Sequence, residues 1–252
     1  SPSLTKENPK IMDLTERQIQ IIKTIVDEFT QTAEPVGSVT LENKYRLGVS
    51  PATLRNEMVV LEEKGFLSQP HTSAGRIPTP MAIKFYVKEL MKEKDLSVAE
   101  EVNVKSRVWD HRYNRDDLLR EATKVLSERT KALCIATTEE GQTYTAGYAN
   151  VFNDIEFQDL ELTREIFFLL DQQQRLLDIF NRASNNSPIH ILVGDEMGIS
   201  VFRPVSCVFA DLRIGGHRGS LGIIGSSRQE YDRNIPMVRY VANLVNQIAQ
   251  EW

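Results

Sequence analysis

The sequence predicts an α+β protein built from two units, and three observations carry that reading. At roughly 100 to 200 residues per domain, 252 residues make about two compact bodies. The first ninety or so residues carry apolar positions at helical spacing, broken by caps, prolines and glycines. Behind them, short runs rich in β-branched residues alternate with longer helical periods and include at least one hairpin, which favours a mixed α+β unit over a doubly wound sheet. With 41% hydrophobic and 26% charged residues the composition is that of a globular protein, not a disordered or fibrous one.

The elements follow in order. Thr15 followed by Gln18 is a capping-box pattern, so a helix begins there, and Ile19, Ile22, Val26 and Phe29 supply its apolar stripe to about residue 32. Glu34-Pro35 is a turn, because the residue before a proline is pushed out of the helical region. Ser38 is expected to cap a second, short helix through about Tyr45, with Gly48 supplying a left-handed residue beyond it. Ser50-Pro51 opens a third helix with a cap and a proline at its first position. At 100° per residue, Leu54, Met58 and Leu61 share one buried stripe, so Ala52, Thr53, Arg55 and Asn56 point elsewhere. Gly65 ends the helix. Residues 66–79 read as a hairpin-like excursion with Thr72-Ser73-Ala74-Gly75 near its tip, and a fourth helix runs from Pro80 to about Lys92.

Residues 93–115, ten of them charged, form a partly helical linker, and the second unit occupies residues 116–252. Asp116 or Asp117 caps its first helix. The β-like runs are residues 132–136, 189–193, 205–213 and 220–224, interrupted by one helical stretch at about 160–182. The last two runs flank Gly215-Gly216, a hairpin turn, and a final helix runs from Pro236 to about Gln250.

Charge and composition exclude several functions. The net charge is −5, yet residues 1–95 hold 13 basic and 13 acidic side chains, and residues 44–84 hold six basic against three acidic. Only the front unit is therefore suited to an anionic partner. No apolar run approaches the ~20 residues of a membrane span. The polar opening, residues 1–10, has no signal-peptide core, so the expected location is the cytoplasm. Cys134 and Cys207 read as buried reduced thiols. His71, His111, His190 and His217 show no metal-binding spacing, and no nucleophile elbow or dinucleotide fingerprint occurs. Gly216, Gly219, Gly222 and Gly225 fit a turn and close strand packing. No catalytic residue, metal ligand or cofactor site is expected, and the protein reads as a non-enzyme.

Helix, glycine-containing turn, capped second helix and basic hairpin follow the order of a winged helix-turn-helix. A B-form major groove admits one α-helix whose first turns reach base edges. Thr53, Arg55 and Asn56 suit that role, since arginine pairs bidentately with guanine and asparagine with adenine. Ser38, Thr40 and Ser50 can bond phosphates from helix N-termini, while His71, Thr72, Ser73 and Arg76 in the hairpin, with Lys84 behind it, can lie along the DNA backbone.

Three strings carry a resemblance: residues 34–38 (EPVGS), residues 47–58 (LGVSPATLRNEM) and above all residues 69–79 (QPHTSAGRIPT). They are similar to the HrcA-type heat-inducible transcription repressors, and the likeness continues at residues 84–87 and returns at 219–225 and 231–244. The resemblance implies a repressor that binds an inverted-repeat operator upstream of chaperone genes as a dimer, with a chaperonin as partner and a GAF-like sensor and dimerisation domain behind the winged domain. Two departures stand out. Val39 occupies a place where the family usually has arginine, which removes a phosphate contact. The domain that the family inserts into its GAF-like unit is missing, because residues 134–138 run through residues 139–143 almost directly into residues 144–151. The alternative is a small-molecule-responsive winged-helix regulator whose GAF-like domain binds a ligand.

Overall fold

The computed structural model describes residues 13–183 and 187–250. The polar opening at residues 1–10 therefore lies outside the described residues. The chain divides into two compact units, Ser1–Lys92 and Glu93–Trp252.

In the first unit, α1 (Glu16–Thr32) begins with a reciprocal capping box: Gln18 N–H donates to Thr15 Oγ1 and Thr15 N–H to Gln18 Oε1, both at 3.2 Å. It stops at Ala33, whose φ of 60° turns the chain left-handed. Next come α2 (Ser38–Tyr45) and α3 (Pro51–Glu63), a two-stranded antiparallel hairpin of β1 (Leu67–Ser68) and β2 (Ile77–Pro78), and α4 (Pro80–Phe85), which continues as a π-turn through Leu90. Ile21, Ile22 and Ile25 of α1, Leu41 of α2, Leu54 and Leu61 of α3, and Phe66 before β1 close one core with no measurable exposure. Each such side chain contributes about 1.5–3 kcal/mol over leaving it in water. Glu28 fastens α1 to α2 by accepting from Lys44 Nζ at 2.7 Å and from Tyr45 Oη at 2.8 Å. Those two donors hold its carboxyl below the ordinary range, and burial together with the Glu28 acceptor pushes the Tyr45 hydroxyl up to about 12.

The second unit is a five-stranded antiparallel sheet in the order β4-β3-β7-β6-β5 with helices on both faces. Its elements are α5 (Val98–Trp109), α6 (Arg115–Thr130), β3 (Leu133–Thr138), β4 (Thr143–Ala146), α7 (Leu160–Leu170), α8 (Gln173–Asn181), β5 (His190–Val193), β6 (Val205–Ile214), β7 (His217–Ser226) and α9 (Tyr231–Ala249). Strand alternation sorts the faces. Leu133, Ile135, Cys207, Phe209 and Ile224 pack against Leu162, Ile166, Leu169, Leu176 and Phe180 of α7 and α8. The opposite face carries α9 and α6. Gly215 (φ 58°) and Gly216 (φ 84°) form the β6–β7 turn, since two successive left-handed residues match the twist of the strands they join.

Four local expectations are corrected, and one strand is added. Ser38 does not cap α2: it is the first helical residue, and no side chain closes that end. Asn114, not Asp116 or Asp117, caps α6, its Oδ1 accepting from the N–H groups of both aspartates at 2.9 and 3.1 Å. The stretch at 160–182 is two helices, hidden because Leu169 and Leu176 lie seven residues apart, a spacing that keeps one face whether or not the helix breaks. The last helix starts at Tyr231 and takes Pro236 inside; the Asp232 carbonyl that proline cannot serve accepts instead from Lys94 N–H at 2.8 Å. The added strand is β4, whose short, half-exposed run carries no clear strand pattern in the sequence.

Candidate nucleic-acid interface

Helix α3 is positioned from its first residue. Ser50 caps it by accepting from Thr53 N–H at 3.3 Å, its Oγ lies 3.0 Å from Thr53 Oγ1, and Pro51 occupies the first helical position without leaving a donor unmet. Leu54, Met58 and Leu61 are buried. That inward stripe leaves Ala52, Arg55 and Asn56 exposed on the outward face, with Val59 at 39% exposure one turn on. The Arg55 and Asn56 side chains make no hydrogen bond or ion pair among the described residues, so a guanidinium and a carboxamide stand ready in the first turns of a capped helix. Thr53 is half-buried and tied to Ser50.

The hairpin beside this helix is braced by side chains the sequence reading did not single out. Gln69 Nε2 donates to the carbonyls of Thr72 and Ala74 at 3.0 and 2.9 Å, and Ala74 N–H donates to His71 O, so the tip is ordered from within. His71, Thr72 and Ser73 are left exposed, with Ser73 Oγ 3.4 Å from His71 Nδ1. At the base, Arg76 and Val36 exchange two backbone hydrogen bonds of 2.9 Å. Gly75 permits this approach: a Cβ there would lie 2.5 Å from the Val36 backbone.

The remaining expected residues are placed differently. Arg76 Nε lies 2.9 Å from Glu62 Oε2 of α3 with only 13% of its side chain exposed, so its charge first joins hairpin to helix. Ser38 is buried at 6% exposure, Thr40 is half-buried, Ser50 is exposed and Lys84 is half-buried with a partner. Val39 is 55% exposed, an apolar side chain beside α2's N-terminus. Glu62 and Gln69 could not be found from sequence, because their roles depend on which strand or loop folds over them. Among the described residues no cluster of His, Cys, Asp or Glu could hold a metal, and no helix is long and apolar enough to cross a membrane.

The family model of the HrcA protein C terminal domain matches residues 82–235. The chain belongs to the HrcA family. Heat-inducible transcription repressors HrcA from Carboxydothermus hydrogenoformans and Moorella thermoacetica are 26% and 27% identical to it, covering 93% and 95% of this chain and 98% and 99% of their own. These HrcA alignments run over 337 and 342 positions, more than the 252 residues of this chain, so this member is shorter than those relatives. Family members of this kind are transcription repressors, not enzymes. A crystal structure of a hypothetical protein shares the fold at a TM-score of 0.74 and 19% identity, covering 95% of this chain and 99% of the other.

Proposed function

We propose that the protein is a heat-inducible transcription repressor whose residues 13–92 form a winged helix-turn-helix, with α3 as the recognition helix and the β1–β2 hairpin as the wing. The observation that carries this reading is the pair of exposed, unpartnered side chains Arg55 and Asn56 on the outward face of a helix whose other face is buried. Arg55 and Asn56, with Thr53 behind them, read base edges in the major groove. Ser50 and Thr40 meet phosphates at the helix N-termini, His71, Thr72 and Ser73 follow the backbone from the wing, and Lys84 adds charge. Ser38 and Arg76 act from within, Ser38 by fitting the start of α2 and Arg76 by holding the wing to α3 through Glu62.

The GAF-like second unit, α5 included, supplies the dimer that an inverted repeat requires, because β3 and β4 are joined by a turn too short to hold an inserted domain. The exposed apolar residues Val98 and Val102 on α5 and Phe152 and Leu160 beyond β4 support an interface there. The protein works in the cytoplasm on chaperone-gene operators, with the chaperonin as the partner that keeps it competent. Footprinting of the purified full chain along chaperone-gene promoters tests the reading. The expected result is one protected inverted repeat with half-sites about one helical turn, or a multiple of it, apart; protection with no repeat, or none, overturns it.

A further inference from the structure

On the α7–α8 face of the sheet, the ends of β3, β6 and β7 run past the apolar core and leave a concavity of about 550 Å³ against α8. That size suits a small metabolite. Its floor includes Thr137 and Ser220, register partners on β3 and β7. Thr137 is fully buried, yet its Oγ1 has no hydrogen-bond partner. An orphaned buried hydroxyl costs about 1–3 kcal/mol, and native proteins rarely leave one unmet.

The wall carries a second unmet demand. Arg213 and Arg218 sit directly opposite each other in the β6–β7 ladder and both line the cavity. Neither side chain has a hydrogen bond or ion pair among the described residues. Like charges in directly opposed cross-strand positions destabilise a hairpin unless something neutralises them. The acids at the rim are already engaged: Asp211 Oδ2 lies 3.2 Å from His190 Nε2, and Glu139 Oε1 lies 3.1 Å from His217 Nδ1. What these two arginine side chains and the one buried hydroxyl lack is a protein partner. Asn181 and Gln174 on α8 offer amides from the other side.

We infer that this concavity is a binding site for a small oxyanion-bearing metabolite, a carboxylate or a phosphate ester, held by Arg213 and Arg218 with the Thr137 hydroxyl beneath it. The site is independent of the DNA-facing surface, and binding here is read without DNA. The test is titration calorimetry and thermal unfolding of the full chain at constant ionic strength, with succinate, inorganic phosphate and, as an uncharged control, glucose. Saturable heat and a saturable rise in unfolding temperature with succinate or with phosphate, and none with glucose, is the expected result, and the responding anion identifies the class. Arg213→Gln and Arg218→Gln should each weaken that binding by at least about tenfold while leaving the unliganded unfolding temperature unchanged or slightly raised. Thr137→Val should weaken it severalfold. The two arginines are exposed, so their variants remain informative even if Thr137→Val folds poorly. No saturable response to either anion, or one that persists in the double arginine variant, overturns the assignment.

Discussion

Replacing Gly75 by alanine tests whether the hairpin is seated against the segment before α2 as tightly as the geometry requires. The added Cβ would fall 2.5 Å from both the carbonyl carbon and oxygen of Val36 and 2.8 Å from its nitrogen. These are backbone atoms, so no side chain can swing aside, and the Val36–Arg76 bridge must open. Two backbone hydrogen bonds of 2.9 Å are then lost. At about 0.5–1.5 kcal/mol net for each, the expected destabilisation is about 1–3 kcal/mol, with further loss where Val36, only 2% exposed, shifts from the core. Urea denaturation of wild type and Gly75→Ala measures the first quantity, and hydrogen exchange at the Val36 and Arg76 amides locates it. A variant with unchanged stability and full protection at those two amides would refute the reasoning.

Three further outcomes follow from the same structure. Glu28→Gln should destabilise the first unit by about 1–3 kcal/mol at neutral pH, toward the lower figure because Lys44 is more than half exposed. Because the folded Glu28 carboxyl titrates below its unfolded value, that stabilisation is complete above the ordinary carboxylate range and vanishes as pH falls through the folded value. Urea midpoints of the two proteins should therefore converge in acid, and a constant gap would exclude Glu28 as the source. Asn114→Ala should cost about 1 kcal/mol, since two N–H groups lose their acceptor at the start of α6, whereas Asp116→Asn should leave the cap intact; circular dichroism melts compare them. Glu62→Ala should loosen the hairpin while releasing the Arg76 charge, seen as faster exchange at the Arg76 amide together with tighter binding to random duplex DNA; unchanged exchange would show that the 2.9 Å pair holds nothing.

The features legible in sequence were those decided within a few residues. Thr15 with Gln18, Ser50 with Pro51, the Leu54, Met58 and Leu61 stripe, and the paired glycines at 215 and 216 each fix local geometry without help from distant chain. What escaped depended on a partner far away. Pro236 reads as a helix start, and only Lys94, far off in sequence, makes it tolerable inside α9 by using the carbonyl it strands. Arg76 reads as a free cation until Glu62 folds beneath it. Arg213 and Arg218 are unremarkable until the β6–β7 register sets them face to face. The exposure of Arg55 and Asn56 is legible because the buried stripe of their own helix dictates where they point, whereas Ser38, expected to face a phosphate, is buried.

The proposed repressor function requires α3 to meet nucleobases, and the most direct measurement compares Arg55→Ala with wild type on the footprinted operator and on a scrambled duplex of equal length, across a salt series. Operator affinity should fall by the equivalent of about 1–3 kcal/mol, with relaxed preference at one base position, while scrambled-duplex affinity changes little. Equal losses on both duplexes would place Arg55 on the phosphates, and no loss on either would remove α3 from the groove.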